Sequence, residues 1–454
     1  MGRRLLFVPL PFQGHINPMF HLASLLHSRG FAITIFHTHF NSPDPDNYPK
    51  SYRFIPVPDN LPDTVRSSKD AVALIHALNK SCQASFRDSL GELLSEEEEE
   101  EEESVACVIF DAHWYALQAV AKKLGVATMV LRTGNATSFN LFMAFPLLLE
   151  KGYLPIQESQ LDALVSELPP LRVKDLPRLM ITSLESFTEL LARGVEQVRT
   201  SSGLILNTFD SIESSELDQI KRDLSIPVYP IGPLHKLSTQ TQTQSSLLAP
   251  DQSCMAWLDS QAPKSVIYVS FGSLAFMDPN ELVEIAWGLA NSGHPFLWVV
   301  RPNLVHGSDR IELPKWFEEE TRGRGRVVPW APQQEVLSHP AVGGFWTHCG
   351  WNSILEAICE GVPMLCRPFF GDQTGNARYV NHVWKVGIVL EGKVERGRTE
   401  RAIKTLIAER EGDEMRERMA DLKAKAAQCT MTGGSSYLAI DNLVDSILAL
   451  QPRS

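Results

Sequence analysis

The run between Trp330 and Gln373, WAPQQEVLSHPAVGGFWTHCGWNSILEAICEGVPMLCRPFFGDQ, constrains the fold more than any other part of the chain. Residues 342–347 (VGGFWT) are a short apolar run with polar flanks, which predicts a buried strand. His348-Cys349-Gly350 turns the chain. Residues 354–360 then predict a helix, with Asn352 or Ser353 placed to cap it and Gly361 and Pro363 to end it. Residues 362–366 read as the next strand, and residues 337–340 as a turn. Strand, glycine turn, helix and strand in so short a run make a βαβ unit. The helix start offers free N–H groups and the positive end of a dipole, an anion site to which His348 adds a donor. Trp330 follows the β-rich Arg326-Val327-Val328 and can stack on a flat base. Glu356, one turn into the helix, can accept from ribose hydroxyls. Asp372 and Gln373 follow the second strand, at the carboxyl end where open α/β sheets bind ligands. An acid beside an amide gives a sugar both acceptors and donors.

The rest of the chain repeats the βα alternation. Residues 5–10 predict a strand, 18–28 a helix closed by Gly30, and 31–36 a second strand, the start of a parallel sheet. Further strand-like runs fall at 105–110, 128–131, 203–207 and 228–231. The segment from His235 to Gln252, rich in Ser, Thr and Gln, reads as a linker. After it the pattern restarts, with strands at 265–270, 296–300, 326–328, 343–347 and 364–367 and a helix at 279–291. A last apolar helix at 437–450 follows a GGSS turn. The expectation is an α/β protein of two doubly wound, Rossmann-like domains facing a cleft: 1–235, a linker at 236–252, and 253–436. At 454 residues the chain is too long for one ordinary core.

The net charge of −12 is dominated by eight consecutive glutamates, Glu96 to Glu103, leaving −4 for the rest. The run reads as a solvated, mobile loop. No basic surface is implied, so nucleic acid is not an expected partner. Seven cysteines with no C-x-x-C pair fit reduced thiols in the cytoplasm. No apolar stretch is long enough to span a membrane. Asp44-Pro45-Asp46 sits in a proline-rich turn and reads as a turn, not a metal site; no zinc or P-loop motif is present.

Two residues stand at equivalent topological places. His15, in PFQGH, follows the first strand; Asp111, in IFDAHWY, follows the strand at 105–110. Both open at carboxyl ends of strands and can converge on one point.

The run from Trp330 to Gln373 resembles the signature box of plant family 1 UDP-dependent glycosyltransferases, matching end to end with HCGWNS, GVP and DQ in place. The likeness extends to PFQGHINP at 11–18, SFGS at 270–273 and GGSS at 433–436. It is closest to the subgroup with steviol-glycoside, cytokinin, hydroxy-acid and benzoxazinoid glucosyltransferases. The resemblance implies the GT-B architecture, with the helix from 437 to 454 returning to the N-terminal domain. That domain would bind the acceptor and the C-terminal one the UDP-sugar. It implies UDP-sugar contacts from Ser273, Trp330, Ala331, Gln333, His348, Trp351, Asn352, Ser353, Glu356, Asp372 and Gln373. Thr133 would lie near the sugar 6-hydroxyl. A terminal Gln373 goes with UDP-glucose, where a His goes with UDP-galactose.

Glucose transfer needs a base to deprotonate an acceptor alcohol, and neutral imidazole suits pH 7. The resemblance assigns that role to His15, with Asp111 fixing its tautomer. Leaving-group charge would fall to His348, the helix N-terminus at Asn352 and Ser353, and Ser273. Direct displacement from an α-linked donor inverts the centre and gives a β-glucoside. Loops carrying Phe12, Gly14, His113, Trp114, Asn135 and Phe139 would line a partly apolar acceptor pocket, with His113 and Asn135 orienting hydroxyls. The expected enzyme uses UDP-glucose as co-substrate and no cofactor. It acts as a cytoplasmic monomer on a diterpenoid glycoside, benzoxazinoid, phenolic, cytokinin or hydroxy acid. The alternatives are a UDP-sugar epimerase or a catalytically silent UDP-sugar-binding protein.

Overall fold

The computed structural model describes residues 3–100, 104–179, 181–238, 246–305 and 313–451, with backbone only for 97–100. The chain divides into two compact units. The first comprises Met1–Ser159, Leu179–Leu247 and Gln428–Ser454; the second comprises Gln160–Arg178 and Leu248–Ala427.

The first unit is built on strands β1 (Arg4–Val8), β2 (Ala32–Thr38), β3 (Arg53–Val57), β4 (Val105–Asp111), β5 (Thr128–Arg132), β6 (Leu204–Leu206) and β7 (Val228–Pro230). They form one parallel sheet in the order β3-β2-β1-β4-β5-β6-β7. Runs such as LLFV and VACVIF are apolar throughout because helices cover both faces of a parallel sheet. One face packs on the helix Gln13–Ser28 through Ile16, Met19 and Phe20, and on the helix Ser435–Ala449 through Ala439, Ile440, Leu443 and Ile447. The other packs on the helix Ala71–Glu100 through Leu78, Phe86 and Leu90.

That helix revises one expectation. Glu96–Glu100 are helical, not a loop; they extend a segment whose apolar stripe is already buried. Glutamate is a good helix former, and Arg53 meets Glu96 at 2.8 Å. Residues 101–103 of the run lie outside the described residues, as do 239–245 of the expected linker and 452–454 of the expected last helix.

The second unit carries β8 (Val266–Ser270), β9 (Phe296–Val299), β10 (Gly325–Val328), β11 (Val342–Thr347), β12 (Met364–Cys366) and β13 (Gly387–Val389). They are parallel in the order β10-β9-β8-β11-β12-β13. Its core gathers Ile267, Val269, Trp298, Trp346, Ile403 and Leu406.

Residues 160–178 pack with the second unit, although the expected boundaries put them in the first. Polar contacts account for this. Thr374 Oγ1 donates to Asp175 O at 2.9 Å, Arg378 Nε to Pro170 O at 3.1 Å, and Lys174 pairs with Glu391 at 2.8 Å. Among the described residues, no helix is long and apolar enough to cross a membrane.

Candidate active site

Both sheets reverse their strand order once, between β1 and β4 and between β8 and β11. The carboxyl ends of strands at such a switch point open into a crevice where ligands bind. Each predicted cluster falls at one of these points.

In the first unit the chain leaves β1 and enters the helix Gln13–Ser28 earlier than expected, with Pro18 inside it. His15 therefore sits in the first helical turn and not before the helix. Asp111 is the last residue of β4. Their side chains meet: His15 Nδ1 lies 2.7 Å from Asp111 Oδ2, with the imidazole 25 % exposed and the carboxylate 1 % exposed. The other carboxylate oxygen accepts from His113 N at 3.1 Å. Burial alone would raise the Asp111 pKa, but the charge and hydrogen bond of His15, with the His113 ring and backbone N–H, bring it below the ordinary carboxylate range. An ionised carboxylate only accepts, so His15 Nδ1 carries a proton, and in the neutral form of the ring Nε2 is the nitrogen with the lone pair. Thr133 Oγ1 is a further neighbour, 3.2 Å from His15 Nδ1.

Supports that sequence reasoning missed hold this pair. Gln197 Nε2 donates to Asp111 O at 3.1 Å, and Asn79 Nδ2 to His113 O at 2.8 Å. Both lie on helices distant in sequence, so no local pattern announces them. The Phe12 ring lies edge-on to the His15 ring with centroids 6.1 Å apart, the His113 ring is tilted against His15 at 5.9 Å, and Gly14 is exposed in the same first turn. Burial drives the His113 pKa down to about 3, so this ring stays neutral.

Three residues expected in the acceptor pocket belong to the core instead. Trp114 is fully buried among Phe86, Phe110 and Leu117. Phe139 is buried against Val130 and Leu206. Asn135 is fully buried and caps the helix Ala136–Glu150, its Oδ1 accepting from Ser138 N at 2.9 Å. In each case the sequence identified a loop near a strand end but not the inward direction of the side chain.

In the second unit β11 leads through Cys349, in the left-handed region at φ 67, to the helix Trp351–Glu360. Gly350 is the N-cap and no side chain caps the helix. Asn352 and Ser353 thus lie inside the first turn and are not caps. The helix start therefore relies on the glycine turn. The expected close holds: Gly361 ends the helix at φ 76. The expected turn at 337–340 is shorter, because Gln333–Ser338 is helical.

The His348 ring fills the space between two glycines. A Cβ on Gly272, which has φ +70, would meet the ring at 2.7 Å, and one on Gly350 would meet Cε1 at 3.0 Å. Desolvation lowers the His348 pKa to about 4, so the ring is neutral. Arg301, which the sequence did not single out, braces the same place: its Nε donates to Gly272 O at 2.8 Å and its Nη2 to Ala275 O. Ser273 lies between those two carbonyls, half-buried.

Glu356 is held from the preceding segment. Its carboxylate accepts from Gln333 Nε2 at 2.6 Å and from Gln334 Nε2 at 3.0 Å. Gln333 Nε2 also reaches Ser353 Oγ at 3.0 Å. Trp330 is half-buried and Ala331 buried beside this group, and Trp330 O accepts from Asp251 N at 2.9 Å. The Trp351 indole is buried, its ring centroid 6.3 Å from that of Trp384. Gln373 Oε1 accepts from Phe369 N at 2.8 Å and Phe370 N at 3.2 Å, which fixes the amide with its NH2 as the remaining donor. Asp372 stands beside it. Among the described residues no group of three metal-ligating side chains occurs.

Solved structures carry the same architecture. The chain superposes on Phytolacca americana UGT2, solved with UDP-2-fluoro-glucose and pterostilbene, with a TM-score of 0.82 and 29% identity over 98% of this chain and 99% of that one. Two parallel-sheet α/β domains of this kind place the chain among the GT-B glycosyltransferases. The family model described as UDP-glucoronosyl and UDP-glucosyl transferase matches residues 60–422. The chain is 48% identical to UDP-glycosyltransferase 76B1 of Arabidopsis thaliana, over 97% of each chain. It is 49% identical to DIMBOA UDP-glucosyltransferase BX8 of Zea mays, over 98% of this chain and 99% of that one. The chain belongs to the UDP-glucuronosyl and UDP-glucosyl transferase family, among its plant members, and is a UDP-glycosyltransferase.

Proposed function

We propose that the protein transfers glucose from UDP-glucose to a hydroxyl of a small lipophilic plant metabolite or its glycoside, with inversion, giving a β-glucoside. The observation that carries this reading is the 2.7 Å contact between His15 Nδ1 and Asp111. It leaves Nε2 as a base at a strand end. Nε2 takes the acceptor proton as the oxygen attacks the anomeric carbon, and Asp111 stabilises the imidazolium. The bond to the diphosphate breaks on the opposite side. Its developing charge meets the N–H groups at the start of the helix Trp351–Glu360, the neutral His348 donor and Ser273. Asp372 and the Gln373 NH2 hold the glucose hydroxyls, Trp330 stacks on the uracil, and Glu356 takes the ribose. Phe12, Gly14 and His113 border the acceptor. Seven buried free thiols favour a reducing compartment, and we place the enzyme in the cytosol.

The test is a UDP-release assay with UDP-glucose against an acceptor panel, with mass spectrometry of products. The panel holds DIMBOA, for which one relative is named, diterpenoid glycosides, flavonols, cytokinins and small hydroxy acids. A product heavier by one hexose, β-linked by NMR, is expected with one class. UDP release with no glucosylated product, or an α-linked product, would overturn the mechanism.

A further inference from the structure

Asn376, one turn into the helix Gln373–Arg378, is buried at 1 % exposure. Both donors of its amide are committed. Nδ2 donates to Cys349 O at 3.0 Å and to Asp372 Oδ2 at 3.2 Å. The first partner belongs to the left-handed turn between His348 and the helix Trp351–Glu360. The second is the carboxylate assigned above to the sugar. Backbone bonds reinforce both ends: Asn376 N donates to Asp372 O at 2.9 Å, and Cys349 N to Thr347 Oγ1 at 3.1 Å.

We propose that Asn376 is a positioning residue for the donor sugar: it orients the Asp372 carboxylate and ties it to the turn that receives the diphosphate. The inference rests on the donor-site reading above and deepens it. A carboxylate side chain has two free torsions, and a donor on one oxygen restrains both. A hydrogen bond to a charged acceptor is among the stronger ones. Because the same amide also holds the phosphate-side turn, sugar recognition and phosphate recognition share one geometric reference. An apolar side chain at 376 would take this donor from the carboxylate and from the buried Cys349 carbonyl. An aspartate there would set a second carboxylate against Asp372.

The test uses the full chain with Asn376→Ala and Asn376→Asp. UDP affinity is measured by calorimetry, and KM and kcat with UDP-glucose by UDP release. KM for UDP-glucose should rise about tenfold in Asn376→Ala, the scale of one charge-assisted bond, and further in Asn376→Asp. UDP affinity should fall by a smaller factor than UDP-glucose KM rises in both, because the turn loses its bond to Asn376 but keeps the one from Cys349 N to Thr347 Oγ1. On an Asp372→Asn background, Asn376→Ala should add little, because the group it positions is already altered. Equal losses for UDP and UDP-glucose would mean general structural support and would overturn the proposal, as would full additivity with Asp372→Asn. Wild-type protein that neither bound UDP nor released it from UDP-glucose would instead overturn the donor-site reading itself.

Discussion

At the scale of single residues, His15 and Gln373 carry the sharpest consequences. His15→Ala should lower kcat by at least about a hundredfold, the usual worth of a positioned base, and leave UDP affinity intact. Near-native turnover in that variant would refute the base assignment. Gln373→His removes the acceptor that two backbone N–H groups now share. KM for UDP-glucose should rise about tenfold, with relative gain for UDP-galactose; an unchanged donor preference would count against the amide's role. The sequence announced both residues because each follows a predicted strand at its carboxyl end. It did not announce that Trp114, Asn135 and Phe139 point inward. A loop position is legible from punctuation, whereas side-chain direction depends on helices far away in sequence, here those carrying Gln197 and Asn79.

At the scale of elements, the apolar runs were legible, the edge strands β7 and β10 among them, but the edge strands β3 and β13 were not. β3 carries Pro56 within RFIPV, a residue confined to edge strands, and β13 is only GIV. The first helix starts at Gln13 and not at Pro18, because a proline inside the first turns breaks the sequence pattern more than it breaks the helix. The turn before the helix Trp351–Glu360 gives an element-level prediction. In Gly350→Ala the new Cβ must displace the His348 ring. UDP affinity should fall about tenfold or more by calorimetry, the equivalent of one lost donor. Gly397→Ala, whose Cβ meets open space, is the control and should change nothing.

At the scale of the molecule, buried neutral histidines should make it acid-labile. His21 is 3 % exposed, and neither ring nitrogen has a hydrogen-bond partner among the described residues. Burial lowers its pKa from 6.5 to about 4. His113 and His348 shift the same way, and for the same reason. Above pH 6.5 these rings are neutral folded or unfolded, and their contribution to stability is complete. As pH falls from 6.5 toward 4, the unfolded chain takes protons that the fold refuses, and stability drops. His21 alone accounts for about 3 kcal/mol across that window. Calorimetry should show Tm falling between pH 7 and pH 5, and His21→Leu should flatten the fall; a Tm independent of pH there would refute it. The two-domain plan was legible from the restart of the βα alternation. The membership of residues 160–178 was not, because polar contacts with residues two hundred positions later decide it.

The way the chain is shared between its units also sets the order in which it can be finished during synthesis. β1 leaves the ribosome long before the helix Ser435–Ala449, yet its sheet is covered on one face by Ala439, Ile440, Leu443 and Ile447. Those side chains are translated after the whole of 248–427, which belongs to the other unit. The nascent first unit therefore waits with an apolar face open while the second is made. The unit begun first is completed last, so a chaperone has most to protect on the N-terminal half.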